Sequence, residues 1–364
     1  MFSLSFDQTK NRDMLRTKIA GMGYYVPEKV VTNFDLMKLM DTSDEWIQER
    51  SGIIERRYAK KHEETTSTMG AAAARMAMDS CGVNPEEIDF IIFATLSPDY
   101  FFPGCGVLAQ RALGISKKEI PALDIRNQCS GFIYGLEVAD QFIKTGKYKN
   151  ILLIASELQS HGLDFTTRGR NVSVLFGDGA GAVILQPTED EDKGILTTHL
   201  HSDGTEAEVL SLINPGSHCG YHLGKEQFGY PDIEYGGAFV TDKMFNEHML
   251  FPQMDGQAVF KKAVTKFPEV IHEALKTAGY STQDVKLVIP HQANLRISQF
   301  VQRLLRLTDD QMYNNIQKYG NTTAASIPIA MCEAKQEGRY AEGDLVCLAA
   351  FGSGFTWASA LVRF

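Results

Sequence analysis

The stretch Ala122-Leu-Asp-Ile-Arg-Asn-Gln-Cys-Ser-Gly-Phe132 joins a short apolar strand to the start of a helix and places Cys129 at the junction. We expect this helix to run to about Gly146, because one face is apolar at helical spacing and a basic turn precedes the glycine. The apolar positions are Phe132, Leu136, Ala139, Phe142 and Ile143. Helix N-termini stabilise thiolates, so the pattern predicts a lowered pKa and a nucleophilic sulfur for Cys129. The alternative is a small buried hydrophobic residue beside an apolar helix.

The composition is that of a globular protein with one large core or two fused halves, since 44% of its 364 residues are hydrophobic and 22% are charged. Its six cysteines lack paired short spacings, which predicts a reducing, cytoplasmic location and neither a disulfide framework nor a metal site. The N-terminus does not resemble a signal peptide and no apolar run is long enough to span a bilayer, so we expect no membrane partner. A net charge of −9 argues against a nucleic-acid partner.

Helix and strand alternate through the first half of the chain, which predicts an α/β layered fold. The second half then repeats the first. Residues 82–92 reappear as 279–289, each time with a helix before the glycine and a buried strand after it, and Phe176-Gly-Asp-Gly reappears as Phe351-Gly-Ser-Gly. Two such segments in the same order predict a duplicated domain whose halves are related by a pseudo-twofold axis.

The duplication predicts where functional residues meet. Cys129 lies between the repeated segments of the first half and Asn321 between those of the second, each before a helix. Equivalent helix N-termini would face each other across the axis, so Cys129 and Asn321 should converge. His291 follows the repeated strand of the second half, at the kind of strand end where α/β sheets place functional groups. Taken singly, the histidine is an ordinary polar residue and the asparagine a helix N-cap.

Four motifs together resemble β-ketoacyl-acyl-carrier-protein synthase III, and the resemblance covers nearly the whole chain. They are NQCSGF around Cys129, PHQANLRI around His291, YGNTTAASIP around Asn321, and the C-terminal FGSGFTWASALVRF. The resemblance implies a thiolase-type fold, in which two pseudo-twofold-related α/β halves form a layered αβαβα core, and a homodimer. It also implies an acyltransferase with Cys129 as the acylated nucleophile and with His291 and Asn321 facing the second substrate.

The reaction that this resemblance implies is the decarboxylative Claisen condensation of an acyl-CoA primer with malonyl-acyl-carrier protein, which initiates fatty acid synthesis and needs no cofactor. A thiol accepts an acyl group from a thioester at almost no net energy. His291 and Asn321 would hold the enolate by hydrogen bonds, and the backbone N–H groups of Cys129 and Ser353 would form the oxyanion hole. Two alternatives remain at this point. One is a specialised-metabolite condensing or acyl-transfer enzyme that uses malonyl-CoA or another nucleophile, and the other is a catalytically silent subunit, which the intact Cys, His and Asn oppose.

The resemblance also suggests where coenzyme A binds. Thr42, Trp46, Arg50 and Arg168 are similar to residues that hold its nucleotide, where an aromatic ring and a guanidinium can sandwich adenine. The alternative is a capped surface helix. Phe102 resembles the residue that reaches across the dimer to bound the partner's acyl pocket, although the adjacent phenylalanine leaves the register open by one residue.

A basic face on helix 294–307 is a candidate docking site for the carrier protein. Arg296 and Arg303 lie two turns apart on one side of this helix, and Lys261 is a candidate third member. An acidic carrier protein would need such a patch on this otherwise negative chain, whereas a solvated basic face is the ordinary explanation. His199 and His201 alternate on an apparent strand, and without further ligands we predict a structural pair and no metal.

The chain departs from the family pattern in two places. Ser353 occupies a position that is commonly glycine, and the segment 203–255 is longer than the family usually carries there. We therefore predict an N-terminal half over 1–195 that carries Cys129, an extended loop insertion or linker over 196–255, and a C-terminal half over 256–364. The glycines and aromatic residues of the insertion favour a folded segment. We hypothesise that it lies over the acyl or pantetheine entrance, the alternative being a decoration of the outer surface or the dimer contact.

Overall fold

The computed structural model describes residues 15–115, 119–217 and 239–364 of the chain, and strands and helices alternate through them. The strands are β1 (Arg16–Tyr25), β2 (Val30–Thr32), β3 (Glu55–Arg57), β4 (Phe90–Ala94), β5 (Ala122–Ile125), β6 (Ile151–Glu157), β7 (Gly179–Thr188), β8 (Gly194–Ser202), β9 (Leu210–Ser211), β10 (Gln253–Met254), β11 (Leu287–Pro290), β12 (Leu345–Gly352) and β13 (Thr356–Arg363). The helices are α1 (Asn33–Leu36), α2 (Asp44–Ser51), α3 (Thr66–Cys81), α4 (Cys105–Leu113), α5 (Gly131–Lys144), α6 (Arg170–Ser173), α7 (Asp242–Asn246), α8 (Gly256–Thr277), α9 (Leu295–Leu305), α10 (Ile316–Tyr319) and α11 (Ser326–Gln336).

Two sheets repeat one topology. The first has the strand order β1-β7-β6-β4-β5 and the second has the order β11-β12-β13-β8. In each sheet a parallel pair, β4 with β6 or β11 with β12, is followed by two antiparallel neighbours. Strands β4, β6, β7 and β1 therefore match β11, β12, β13 and β8. The repeated glycines Gly82 and Gly279 occupy equivalent positions, just after the ends of α3 and α8. Their φ values of 71° and 76° are left-handed, a conformation that disfavours a Cβ.

The sheets and helices form five layers. Helices α5 and α11 lie between the two sheets and share one core with β4, β6 and β12, through residues such as Phe132, Leu136 and Ile327. Helices α3 and α4 cover the outer face of the first sheet, and α8 and α9 cover that of the second. Because both faces of the first sheet are covered, its central parallel strands β4 and β6 are buried along their whole length. The predicted αβαβα architecture is confirmed.

The two central helices begin alike, which creates the place for a site. A 3-10 turn, Gln128–Ser130, precedes α5, and an equivalent turn, Thr323–Ala325, precedes α11. The first residue of each turn is left-handed, with φ of 43° at Gln128 and 48° at Thr323, and the two turns contact each other. Cys129 therefore lies in a turn before α5, and Asn321 lies several residues before α11. In each half a 3-10 turn thus precedes the α-helix that the sequence predicts at this place.

The predicted limits of the insertion need one correction. Strand β8, Gly194–Ser202, pairs with β13 along its length, so residues on both sides of the predicted boundary between 195 and 196 belong to the second sheet. The rest of this segment forms a 3-10 stretch, the β9/β10 ribbon and α7, while 218–238 lie outside the described residues. Within the described ranges, no helix is both long enough and apolar enough to cross a lipid bilayer.

Candidate active site

Three polar side chains predicted to be catalytic line one inner cavity of about 240 Å³. Cys129 is 5% exposed, His291 3% and Asn321 6%. Cys129 comes from the turn before α5, His291 follows β11 directly, and Asn321 precedes the matching turn before α11. Burying polar groups is costly unless they are paired or used, so their convergence on a cavity wall indicates a functional site.

The backbone of Asn321 is fixed on both sides. Its N–H donates to the carbonyl of Leu175 at 2.8 Å, and its carbonyl accepts from the N–H of Gly177 at 3.1 Å. Gly177 allows this approach, because a Cβ there would lie 2.2 Å from the carbonyl oxygen of Tyr319. The side-chain Oδ1 of Asn321 accepts from the N–H of Thr323 at 2.8 Å. This bond orients the amide and leaves Nδ2 as the donor toward the cavity.

His291 is held as a neutral hydrogen-bond donor. Its Nδ1 lies 2.7 Å from the Ser326 hydroxyl, which also accepts from the backbone N–H of Gln292 at 3.3 Å. Since that hydroxyl accepts from Gln292, its own hydrogen can go to Nδ1, and the ring proton then stays on Nε2. Nε2 is buried without a partner among the described residues. Burial lowers the pKa of His291 to about 3, so the imidazole is uncharged at neutral pH.

The Cys129 sulfur lies against the turn between β12 and β13. A Cβ at Gly352 would lie 3.1 Å from this sulfur, so only glycine lets the backbone approach so closely. Burial and, to a smaller extent, the nearby Glu157 raise the pKa of the Cys129 thiol to about 12, although backbone N–H groups of Ser353 and Cys129 act in the opposite direction. The predicted lowered pKa is therefore wrong, because burial outweighs the helix N-terminus. The same two N–H groups are those predicted for the oxyanion hole.

Sequence reasoning missed Glu157, a fully buried carboxyl at the end of β6. It accepts hydrogen bonds from the hydroxyls of Ser97 at 2.7 Å and Thr95 at 3.2 Å, and from Nε2 of Gln159 at 3.3 Å. Burial raises its pKa to about 7 in spite of these donors. The sequence signal that could have found it is an acidic residue at the end of a mostly apolar strand.

A wider outer cavity of about 860 Å³ adjoins the inner one, and Trp46, Arg50 and Arg296 are among its lining residues. The two cavities share walls, which are formed by Leu175, Met254, Gly256, Phe260 and Asn294. Asn294 also donates from Nδ2 to the carbonyl of Arg50 at 2.7 Å and so ties α9 to the end of α2. A long substrate can therefore extend from the surface to Cys129.

Comparison with known proteins agrees with this geometry. Residues 123–204 match a family model described as 3-oxoacyl-[acyl-carrier-protein (ACP)] synthase III, and 275–364 match that of its C-terminal part. The β-ketoacyl-[acyl-carrier-protein] synthase III of Aquifex aeolicus is 44% identical over 348 residues, which cover 96% of this chain and 99% of the relative. The chain belongs to the 3-oxoacyl-[acyl-carrier-protein] synthase III family. The Rhodospirillum centenum member is also 44% identical, with 96% and 99% of the two chains covered.

Solved structures of the family have the same fold. That of the Aquifex aeolicus enzyme matches with a TM-score of 0.82 at 43% identity and covers 96% of this chain and 100% of the other. The Thermus thermophilus structure matches with a TM-score of 0.82 at 35% identity, with 95% and 99% covered. The family and the thiolase-type fold predicted from the sequence motifs are confirmed, and so is the assignment as an acyltransferase-type condensing enzyme.

The residues predicted to hold coenzyme A are only partly brought together. Trp46 and Arg50 line the outer cavity, and the Arg50 guanidinium lies 4.5 Å from the Trp46 ring centroid. Arg168 instead forms an ion pair with Asp164 at 2.6 Å. Arg170, which was not among the predicted residues, also contacts Trp46, with its guanidinium 5.0 Å from the ring centroid. Thr42 is not among the residues that line the outer cavity.

The predicted docking face is exposed. Lys261 on α8 and Arg296 and Arg303 on α9 all face solvent, and the two helices pack through a ring contact of Phe260 and Phe300 at 6.4 Å. Arg296 also lines the outer cavity. The face therefore borders the outer cavity.

Phe102 lies outside the lining of both cavities of its own chain and is 81% exposed. Its neighbour Phe101 is also exposed and stacks on Phe239, with ring centroids 5.5 Å apart. Phe101 and Phe102 shortly precede α4, whose first two residues donate their N–H groups to the carboxylate of Asp124 in β5, an edge strand of the first sheet. The predicted role of Phe102 in a partner's acyl pocket stays a prediction.

The histidine pair is engaged by one carboxylate. Nε2 of His201 lies 2.6 Å from Glu273, and Nδ1 of His199 lies 3.4 Å from the same residue. In the described part of the chain, no group of three His, Cys, Asp or Glu side chains is arranged to hold a metal ion. Both histidines therefore contact one carboxylate in a polar cluster between β8 and α8.

Proposed function

We propose that this chain condenses an acyl-CoA primer with malonyl-acyl-carrier protein to give a 3-oxoacyl-acyl-carrier protein, which initiates fatty acid synthesis. One observation carries the proposal, namely the convergence of Cys129, His291 and Asn321 on a buried cavity that continues into a wider outer one. Relatives named β-ketoacyl-[acyl-carrier-protein] synthase III at 44% identity support this reaction over a specialised-metabolite pathway.

The first half-reaction is a thioester exchange at Cys129. The sulfur attacks the carbonyl carbon of the acyl-CoA, the bond from that carbon to the coenzyme A sulfur breaks, and the thiol proton ends on coenzyme A. The thiol is protonated at rest because burial raises its pKa to about 12. The N–H groups of Cys129 and Ser353 are donors for the oxyanion that forms on attack, and their presence beside the sulfur supports this role.

The second half-reaction is the condensation. Malonyl-acyl-carrier protein loses carbon dioxide, and the electron pair of the broken bond forms an enolate whose oxygen accepts from Nε2–H of His291 and Nδ2–H of Asn321. The carbanion carbon attacks the acyl carbon on Cys129, and the sulfur leaves and regains a proton. A neutral His291 suits this task, since its unpartnered Nε2–H stabilises negative charge as it develops.

The outer cavity is the proposed site of the coenzyme A nucleotide and pantetheine. Trp46 offers an aromatic face and Arg50 a phosphate or base contact, and we add Arg170 to the proposal because it already stacks on Trp46. The bond from the Asp41 N–H to the Thr167 hydroxyl at 3.0 Å joins the segments that carry Thr42 and Arg168, and both residues stay in the proposal although neither lines the outer cavity. Lys261, Arg296 and Arg303 would attract an acidic carrier protein.

A homodimer and a cytoplasmic location complete the proposal. The exposed Phe101 and Phe102, close to the open edge strand β5, would be covered by a second copy of the chain. In the described part of the chain, five cysteines carry free thiols, which suits a reducing compartment. The two thioesters act as substrates, and the proposed chemistry requires no resident cofactor.

The proposal is tested by intact mass measurement after incubation with acyl-CoA primers. The wild-type chain should gain one acyl group, and Cys129→Ala should gain none. Cys105→Ala is the matched control, because Cys105 is equally buried, lies at the first position of α4 and lines neither cavity. Its acylation should equal that of the wild type. Acylation of Cys129→Ala, or none of the wild type with any primer, would contradict the mechanism.

A further inference from the structure

The hydroxyl of Ser353 connects the turn between β12 and β13 to the long segment 203–255. This turn, residues 353–355, carries a proposed oxyanion-hole N–H and is called the oxyanion turn here. Oγ of Ser353 donates a hydrogen bond to the backbone carbonyl of Leu210, the first residue of β9. The same segment is tied once more at its start, where Asp203 and Phe355 exchange backbone hydrogen bonds of 2.8 and 2.6 Å. Of these two contacts, only the Ser353 hydrogen bond reaches the β9/β10 ribbon, because Asp203 lies before it in the chain.

The other side of Ser353 is connected to the nucleophile. Its carbonyl accepts from the Thr356 hydroxyl at 3.2 Å, and that hydroxyl lies 2.7 Å from the hydroxyl of Ser130, the residue after Cys129. Its N–H hydrogen-bonds to the Cys129 sulfur. Ser353 therefore connects the reacting sulfur to the ribbon. Its backbone N–H contacts the sulfur of Cys129, and its hydroxyl contacts the ribbon at Leu210.

The β9/β10 ribbon is a wall of the inner cavity. Leu210, Leu212 and Met254 place apolar side chains among the residues that line it. The ribbon pairs only two residues on each strand, Leu210 with Met254 and Ser211 with Gln253. A two-stranded ribbon of this length has little stability of its own, so contacts to the rest of the protein hold it in place.

We infer that the Ser353 hydroxyl is a specificity-determining contact, which holds the ribbon against the oxyanion turn and so limits the size of the acyl group that Cys129 accepts. This inference rests on the proposed function. The inner cavity of about 240 Å³ is smaller than most ligand cavities, which hold roughly 300–1,000 Å³. We expect a longer primer to need more room beside Cys129, which an outward movement of the ribbon would provide. The serine bond opposes that movement, whereas the backbone N–H of Ser353 is unaffected by what its side chain does.

The test compares Ser353→Ala with the wild type for self-acylation by a short and a long unbranched primer, acetyl-CoA and octanoyl-CoA. We expect the ratio of kcat/KM for the long primer to that for the short one to rise roughly two- to tenfold, mainly through KM, the factor expected for one lost hydrogen bond. Ser359→Ala is the matched control, since Ser359 lies in β13 and its buried hydroxyl has no partner among the described residues.

A second measurement does not depend on activity. Amide hydrogen exchange of the ribbon residues Leu210, Ser211 and Met254 should be faster in Ser353→Ala than in Ser359→Ala. An unchanged primer ratio in Ser353→Ala overturns the inference, whatever the exchange rates show. A wild-type chain that accepts neither primer contradicts the proposed function instead, so the two failures are distinguishable.

Discussion

Replacing Glu157 by glutamine tests how burial controls the charges around the nucleophile. The carboxyl is fully buried, and its pKa is raised from 4.5 to about 7. The folded chain therefore binds the carboxyl proton of Glu157 more tightly than the unfolded chain does. Its contribution to stability is fully present below pH 4.5 and is lost as the pH rises through 7. Glutamine keeps the shape and an acceptor for Ser97 but never ionises.

The size of the effect follows from the pKa. At about 1.4 kcal/mol per pKa unit, a rise from 4.5 to about 7 amounts to about 3 kcal/mol, of which about 2.5 kcal/mol is lost between pH 5 and pH 8. The free energy of unfolding of Glu157→Gln should therefore gain about 2.5 kcal/mol relative to wild type over that interval. For 364 residues this is about 3 °C in Tm. Subtracting the wild type removes the opposite contribution of His291, whose pKa is lowered to about 3.

The assay is thermal unfolding of both chains at several values of pH between 5 and 8. Glu189→Gln is the control, because Glu189 is exposed and the difference in Tm should then be independent of pH. Iodoacetamide should also alkylate Cys129 faster in Glu157→Gln at pH 8, since the ionised carboxylate raises the pKa of the thiol. A difference in Tm that stays constant from pH 5 to pH 8 would refute the reasoning.

Two further predictions concern the half-reactions and the carrier protein. His291→Ala and Asn321→Ala should still be acylated at Cys129 but lose roughly 10²- to 10³-fold in the rate of condensation, because each residue supplies one donor to the enolate. The condensation rate is measured with radiolabelled malonyl-carrier protein. Loss of acylation in a folded variant would show that the roles of these residues are wrongly divided. Arg296→Glu and Arg303→Glu should raise KM for malonyl-carrier protein at low salt while sparing acylation by acyl-CoA. Lys276→Glu, a charge reversal at an exposed position of the neighbouring helix α8, is the control. An unchanged KM in both arginine variants would show that this face is an ordinary solvated surface.

The sequence was informative wherever function depends on residue type and local motif. The duplicated pattern predicted the five layers, and the motifs around Cys129, His291 and Asn321 predicted the residues that meet in the cavity. Properties that depend on tertiary burial were missed. The pKa of the Cys129 thiol depends on how deeply the sulfur is buried and on Glu157, and neither follows from a helix N-terminus.

Side-chain contacts, including those between residues far apart in the sequence, could not be predicted either. Arg168 and Arg170 are two residues apart on one short turn, and only the packing decides that Arg170 stacks on Trp46 while Arg168 pairs with Asp164. The departure at Ser353 was visible in the sequence, but its partner was not. The carbonyl of Leu210 lies 143 residues away and carries no signature in its side chain.

The matched left-handed residues Gln128 and Thr323 bear on the ancestry of the site. A left-handed conformation costs a non-glycine residue of order 1–2 kcal/mol, and the two halves carry the same strain at the same step before their central helix. The next residue is Cys129 in one half and Ala324 in the other. Such a match is expected if both halves derive from one duplicated domain, in which the turn before the central helix preceded the difference between Cys129 and Ala324.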